Sequence, residues 1–494
     1  MIDNISWVVA YPEILLLVMT CAIAMVDLGV KSPLRGPTYA LTLLTLLGLA
    51  VLLALYAQTG RTVSGFGGMV VSDPMGNWLK SFACIALLVT LVYGRSYAAS
   101  RDMLRGGELF ILSLFSLLGI FVMISGHNFL VIYLGLEMLT LSSYALVALR
   151  RDDGRATEAA MKYFVLGALA SGLLLYGISL VYGATGSLDL STVMDVIGSG
   201  QHQRQVLVLG VVFVVAGLAF KLGAVPFHMW IPDIYQGAPT VVTLVVAGAP
   251  KLAAFAIVIR LLVEGLMPFA LDWQQMMAVL AVGSLLVGNL AAIAQTNLKR
   301  MLAFSTIAQM GFLLLAFVAG MSNGSTQNAT NTYSAGMFYM VTYVLTTLAT
   351  FGVMMVLSRR SFESEELVDL AGLNRRSPAL AAVMAVCMFS LAGVPPMVGF
   401  YGKLAVLQGL LATGDALLTK LAIFAVLMSL VGAFYYLRVV KVMYFNAPVQ
   451  TAPIDALQDA RALLAVNGFM VIALGVLPGG LMALCTQAIT VLLH

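Results

Sequence analysis

Five ionisable residues stand inside otherwise apolar runs: Glu137 in YLGLEMLTLSSYALVAL, Lys162 in EAAMKYF, Lys221 in FKLGAVPF, Lys251 in APKLAAF and Lys403 in FYGKLAV. Charged groups are costly at the centre of a bilayer and persist where they pair, reach water or serve transport. Glu137 is about ten residues from either end of its run, too deep for a short side chain to reach an interface. Lys251 is about 11 residues into its run, and a lysine at that depth must pair or exchange its proton. Lys221 and Lys403 each lie beside a proline break, Lys221 five residues before Pro226 and Lys403 seven after Pro396. Lys162 is one turn into its run, where snorkelling to the near interface and a functional role fit equally. His228, two residues past Pro226, is placed to hand protons on, although a satisfied loop histidine is the simpler reading. One acid and several lysines thus form a row in which the charge on one biases proton binding at the next.

Such a row needs elements that hold it at membrane depth. Of the 494 residues 61% are hydrophobic and 10% charged, against about 25% charged in an ordinary soluble domain. The mean hydropathy is +0.99. Apolar runs of about 20 residues recur along the whole chain, the length that crosses a hydrocarbon core about 30 Å thick. The class is therefore an all-α polytopic membrane protein of about 14 transmembrane helices. Expected limits include 75–95 and 107–125 for spans 3 and 4, 127–149 and 157–183 for spans 5 and 6, and 205–227 and 240–264 for spans 7 and 8. Span 12 covers 378–413 and the last span 461–484. The opening MIDNISW has no basic stretch, so the first run reads as a span rather than a cleaved signal. The four cysteines stand singly in apolar runs with no ligand or redox spacing.

Lysine and arginine set the orientation. Of the 26, 17 fall in loops on one side, three (Arg61, Arg204 and Lys420) on the other, and six inside helices. The positive-inside rule then places both termini on the outer face. Cations dispersed in this way are an orientation signal and not a patch for nucleic acid. One inner loop, HMWIPDIYQGAPT from His228 to Thr240, has no lysine or arginine, so something besides topology shapes it.

Span 12 would be about 54 Å long as one straight helix, too long for a single crossing. Its middle reads SLAGVPPMVGFYGK, and span 7 has the same device in KLGAVPFHMWIPD, so both helices are expected to be broken. The breaks are five spans apart, and an odd shift inserts the two units in opposite senses. Spans 4–8 and 9–13 are thus expected to be two inverted five-helix repeats. The divisions are an N-terminal three-helix segment (1–106), the first repeat (107–264), the second (265–444) and a C-terminal helix (445–494).

No paired cysteine cluster, haem-type histidine pair, dinucleotide turn or phosphate-binding loop is present in the sequence. Uphill proton movement would draw its energy from a partner subunit or another ion.

The stretches quoted above, with LKRMLAFSTIAQMG from Leu298 and LAGVPPMVGFYGKL around Lys403, resemble the antiporter-like membrane subunits of proton-pumping NADH:quinone oxidoreductase (complex I), over essentially the whole repeated core. LEMLTLSSYALVAL, the lysine at Lys403 and the opening PEI at Pro12–Ile14 fit the subunit N branch better than the L and M branches. The resemblance implies that Glu137 and Lys221 form a gating pair assisted by Lys162, that Lys251 is the central relay, and that Lys403 is the site near the outward exit. It implies a subunit of a translocating enzyme with no redox centre of its own. NADH, FMN, iron–sulfur clusters and quinone would belong to partner subunits. Membrane neighbours would be subunits K and M, the lateral helix of L and lipids, in a bacterial inner membrane. A subunit of a multisubunit Na+/H+ antiporter, a membrane-bound hydrogenase arm and a purely structural spacer are the competing readings.

Overall fold

The structure is a computed structural model that describes residues 4–200, 202–321, 326–360, 362–449, 454 and 457–493. A short helix α1 (Asn4–Val9) precedes α2 (Tyr11–Gly29), α3 (Gly36–Gln58) and α4 (Pro74–Ser100). Between α3 and α4 a small antiparallel hairpin pairs β1 (Val63–Gly65) with β2 (Val70–Ser72). Residues 107–264 hold α5 (Glu108–Ser125), α6 (Phe129–Val147), α7 (Gly154–Thr185), α8 (Leu190–Gly198), α9 (Arg204–Leu222), α10 (Trp230–Gly237), α11 (Thr240–Ala247) and α12 (Ala249–Val258), ending in a π-helical turn, Ile259–Glu264. Residues 265–444 hold α13 (Ala270–Ile293), α14 (Leu298–Val318), α15 (Ala329–Leu357), α16 (Leu373–Arg376), α17 (Pro378–Ala392), α18 (Val398–Leu411) and most of α19 (Ala416–Phe445). The chain closes with α20 (Gln458–Val476) and α21 (Gly479–Leu493).

Among the described residues 13 helices are long and apolar enough to cross a membrane. The broken pair α17–α18, neither half of which spans alone, supplies the remaining expected crossing. Local signals set the starts. Asp73 caps α4, its carboxylate accepting from the Gly76 amide at 2.6 Å with Pro74 at the first helical position. The 240–264 segment is buried from Thr240 to Val263, and α14 and α15 nearly throughout. By contrast α2, α19 and α20 turn most of their surface outward, as helices that are apolar all round do when lipid is their solvent.

The two long stretches carry matching features. In each, two antiparallel helices are joined by a short turn whose asparagine caps the second: Asn128 accepts from the Leu130 amide and Asn297 from the Arg300 amide. Each of those asparagines also bridges to an acidic residue of a later connection, Asn128 to Asp189 and Asn297 to Glu366. The helices α5 and α6 touch at Gly119 and Gly135, where a side chain on either would run into the other backbone.

Three expectations on helix limits need correction. The cation-free segment 228–240 is not a loop: it is largely α10, a two-turn helix with Trp230, Ile231, Ile234 and Tyr235 buried, the second half of broken span 7. One face of the segment packs inside the bundle, while Asp233 and Gln236 on the other meet cations supplied by neighbouring helices. Span 8 is also interrupted, between α11 and α12 at Gly248, just ahead of Pro250 and Lys251. The last expected span is two helices, α20 and α21, separated at Leu477 and Pro478, where proline removes a helical donor.

Candidate functional site

Both breaks are made the same way. α9 stops at Gly223 (φ +82°) and α17 at Gly393 (φ +88°), in the left-handed conformation that glycine adopts without strain. The amides of Gly223 and Ala224 both return to Ala219 O, and those of Gly393 and Val394 to Phe389 O. Three residues after each glycine lies a cis proline, Pro226 and Pro396. Such an ending leaves the last carbonyls of each helix without helical partners, at the negative pole of the helix dipole.

A buried lysine closes each break. The Lys251 ammonium donates to Leu222 O at 2.7 Å and lies 5.7 Å from the centre of the Trp230 ring. The Lys403 ammonium donates to Leu391 O at 2.9 Å, to Ala392 O at 3.2 Å and to Ser429 Oγ at 2.9 Å, which uses all three of its protons. The two lysines come from different kinds of element: Lys251 from α12, in the span after the broken one, and Lys403 from α18, the second half of the broken helix itself. Both are buried.

Lys221 occupies the last turn of α9 and is also buried. It forms no ion pair with Glu137 within 4.0 Å; Glu137 Oε1 is buried without a hydrogen-bond partner. The rest of Glu137 is half-buried on α6, between the outward-facing Leu134 and Leu141. Lys251 bonds to the carbonyl of Leu222, the residue after Lys221, so the two buried amines share the end of α9. Lys162 is elsewhere: it is exposed, pairing with Glu158 at 2.8 Å and Asp233 at 3.0 Å in the wall of a cavity of about 430 Å³. His228 sits in the turn between α9 and α10, half-buried, with Nδ1 buried and unpartnered.

Several polar groups had not been singled out from the sequence. Beside Lys403 runs a neutral network: Gln309 Nε2 donates to Leu391 O and to Tyr436 Oη, both at 3.0 Å, and Ser305 Oγ lies 2.5 Å from Tyr436 Oη. Tyr339 donates to Gln309, and Tyr343 to Thr306 Oγ1 at 2.8 Å. Hydroxyls carry no formal charge and blend into apolar runs, but the four-residue steps Tyr339–Tyr343 and Thr342–Thr346–Thr350 on α15 mark a polar stripe on one helix face. Arg260, one of the six cations counted inside helices, is fully buried and bonded to Asp73, Glu264 and Ile124 O. Lys80, another, pairs at 2.6 Å with Glu13, which also accepts from Ser125. Among the described residues no cluster of His, Cys, Asp and Glu fits a metal ion.

The chemistry open to this arrangement is proton exchange: amines that gain or lose a proton against fixed carbonyl and hydroxyl acceptors, coupled by charge.

Residues 126–432 match the family model described as NADH:quinone oxidoreductase/Mrp antiporter, TM. A relative from Polaromonas naphthalenivorans (strain CJ2), named NADH-quinone oxidoreductase subunit N, is 67% identical over 99% of this chain and 98% of its own. A chain of respiratory complex I from Thermus thermophilus with bound aureothin superposes with TM-score 0.79 at 33% identity, covering 96% of this chain and 98% of that one. A chain of the Mrp complex from Dietzia sp. DQ12-45-1b superposes with TM-score 0.84 at 19% identity, over 99% and 98%, a likeness of fold alone. The chain belongs to the NADH:quinone oxidoreductase/Mrp antiporter transmembrane family, in the branch of its subunit N relatives.

Proposed function

We propose that this chain is a proton-translocating membrane-arm subunit of an NADH:quinone oxidoreductase, in which electron transfer in other subunits drives protons through the buried Glu and Lys row. The observation that carries the reading is the pair of broken helices, each with its exposed carbonyls bonded to a buried lysine ammonium. An ammonium held by fixed acceptors away from bulk water is a site whose occupancy neighbouring charge can control. In this reading Glu137 and Lys221 gate access to the row, Lys251 relays, and Lys403 releases toward the outer face. Lys162 and His228 serve the inner end, and the Gln309–Tyr436–Ser305 hydroxyl network lines the way beside Lys403.

The two matching stretches, 107–264 and 265–444, are inverted repeats in the bilayer, between the three-helix segment 1–106 and the C-terminal 445–494. Both termini face the outside of a bacterial inner membrane. Subunits K and M are the membrane neighbours, with the lateral helix of L alongside and lipid around the rest. NADH, FMN, iron–sulfur clusters and quinone bind in partner subunits.

The test is Lys221→Ala in membrane vesicles, with NADH oxidation, NADH-driven proton uptake and assembly on native gels measured together. An assembled complex that loses pumping supports the reading. Normal pumping and oxidation in an assembled complex sink the role of Lys221 and favour a structural spacer. NADH oxidation that never depends on this gene transfers the chain to the antiporter class.

A further inference from the structure

The two second half-helices differ in what they carry at one register position. Ten residues after the left-handed glycine, α18 has Lys403 and α10 has Asp233. Lys403 turns back onto the carbonyls of its own break. Asp233 is instead gripped from two other helices. Its Oδ1 accepts from Arg300 of α14 at 2.7 Å and its Oδ2 from Lys162 of α7 at 3.0 Å. Arg300 also donates to Gln236 at 3.1 Å, and the neighbouring Lys299, buried, donates to Ala238 O just past the end of α10 at 2.6 Å. The first turn of α14, in the 265–444 stretch, thus holds the inner end of a helix that belongs to the 107–264 stretch.

The other end of α10 touches the row. Trp230 Nε1 donates to Phe220 O in the last turn of α9 at 2.9 Å, and its ring lies beside the Lys251 ammonium. The same ring stacks on Tyr163, next in sequence to Lys162, with centroids 5.0 Å apart and planes 10° from parallel. A helix of eight residues has little stability of its own and keeps its place only through what holds it.

We propose that Asp233 is a positioning residue: clamped between Arg300 and Lys162, it fixes α10 so that Trp230 keeps the open end of α9 in register with Lys251. The inference rests on the proton-translocation reading above. It makes the clamp a mechanical link between the two stretches, since Arg300 and Lys162 lie on different sides of the 264/265 division. A carboxylate shared by two cations on separate helices resists sliding along either axis. Losing the Arg300 cation loosens the inner end of α10 without emptying any site in the proton row, whereas Lys162 belongs to both.

The test uses vesicles carrying the whole complex, with Asp233→Arg, Arg300→Asp, the double swap, and Lys221→Ala as a reference. Each charge-reversed single variant is expected to assemble, to lower protons pumped per NADH oxidised about threefold or more, and to displace the pH profile of pumping. The double swap restores the Arg300 half of the clamp across the same gap, with the new arginine set against Lys162, and recovers part of the loss. Singles with the parent ratio and pH profile, or a swap no better than either single, overturn the proposal. If the reversed variants fail to assemble, Asp233→Asn and Arg300→Gln take their place with the same readouts; failure of these to assemble as well, without rescue by the swap, assigns Asp233 to assembly and also overturns it. Normal pumping in Lys221→Ala sinks the translocation reading instead. Loss there with normal clamp variants sinks the clamp alone.

Discussion

Replacing Arg260 by methionine is expected to destabilise the chain more than any single change in the lysine row. Arg260 is 1% exposed. Its guanidinium reaches Ile124 O at 3.1 Å, both oxygens of Glu264 at 2.8 and 3.0 Å, and Asp73, which is itself buried. One side chain therefore ties the cap of α4, the end of α5 and the π-helical close of the 240–264 segment. Methionine fills much of the same space but leaves two carboxylates facing each other without a cation. Removing one partner of a buried ion pair costs about 3–5 kcal/mol, and the high burial of Arg260 and Asp73 leaves little solvent screening to soften that figure. At 1.4 kcal/mol per factor of ten, the folded-to-unfolded ratio falls by about two to three and a half orders of magnitude. The assay is the temperature at which the chain is lost from the complex on native gels after stepped heating of purified membranes. Arg260→Met should lose it several degrees earlier than the parent. The triple variant Arg260→Met/Asp73→Asn/Glu264→Gln, which removes the stranded charges and keeps an asparagine cap on α4, should recover more than half the shift. A single variant as heat-resistant as the parent, or a triple no better than the single, refutes the reasoning.

Gly119→Ala should separate α5 from α6: the new carbon would sit 2.4 Å from Leu139 N, and backbone cannot yield as a side chain can. Overpacking of this kind costs about 1–3 kcal/mol, so less assembled complex and weaker pumping are expected, whereas Gly172→Ala, with open space around it, should assemble at the parent level. The Glu365 carboxyl lies outside the spans, and burial raises its proton affinity above the ordinary carboxylate range, with the Lys299 charge offsetting part of the effect. The folded state then holds the proton more tightly than the unfolded chain, so its contribution is complete below about pH 4.3 and is lost as pH rises through the raised value. Glu365→Gln should accordingly match the parent in heating tests near that pH and exceed it at neutral pH. A variant less stable than the parent at neutral pH removes the argument.

Composition and spacing alone settled a good deal. Runs of apolar residues at bilayer length define a helical membrane protein because in hydrocarbon every backbone group must be paired within its own segment. Glycine and proline at 223–226 and 393–396 announce both breaks, because proline lacks a donor and glycine tolerates the left-handed turn. Lone charges in apolar runs point to Glu137, Lys221, Lys251 and Lys403 without any coordinates, since their cost is local. What touches what was decided only in three dimensions. The acceptors of Lys251 and Lys403 are backbone carbonyls, which every residue has and no sequence pattern marks. Lys80 and Glu13, Arg300 and Asp233, and Arg260 and Asp73 are joined across 67, 67 and 187 positions, and the network around Gln309 draws on residues up to 131 apart. Lys162 finds Glu158 one turn back on its own helix, but it reaches Asp233 only because α7 and α10 lie side by side. Local sequence dictates where a helix starts, bends and stops; the partner of a buried charge is set by how helices distant in sequence are brought side by side.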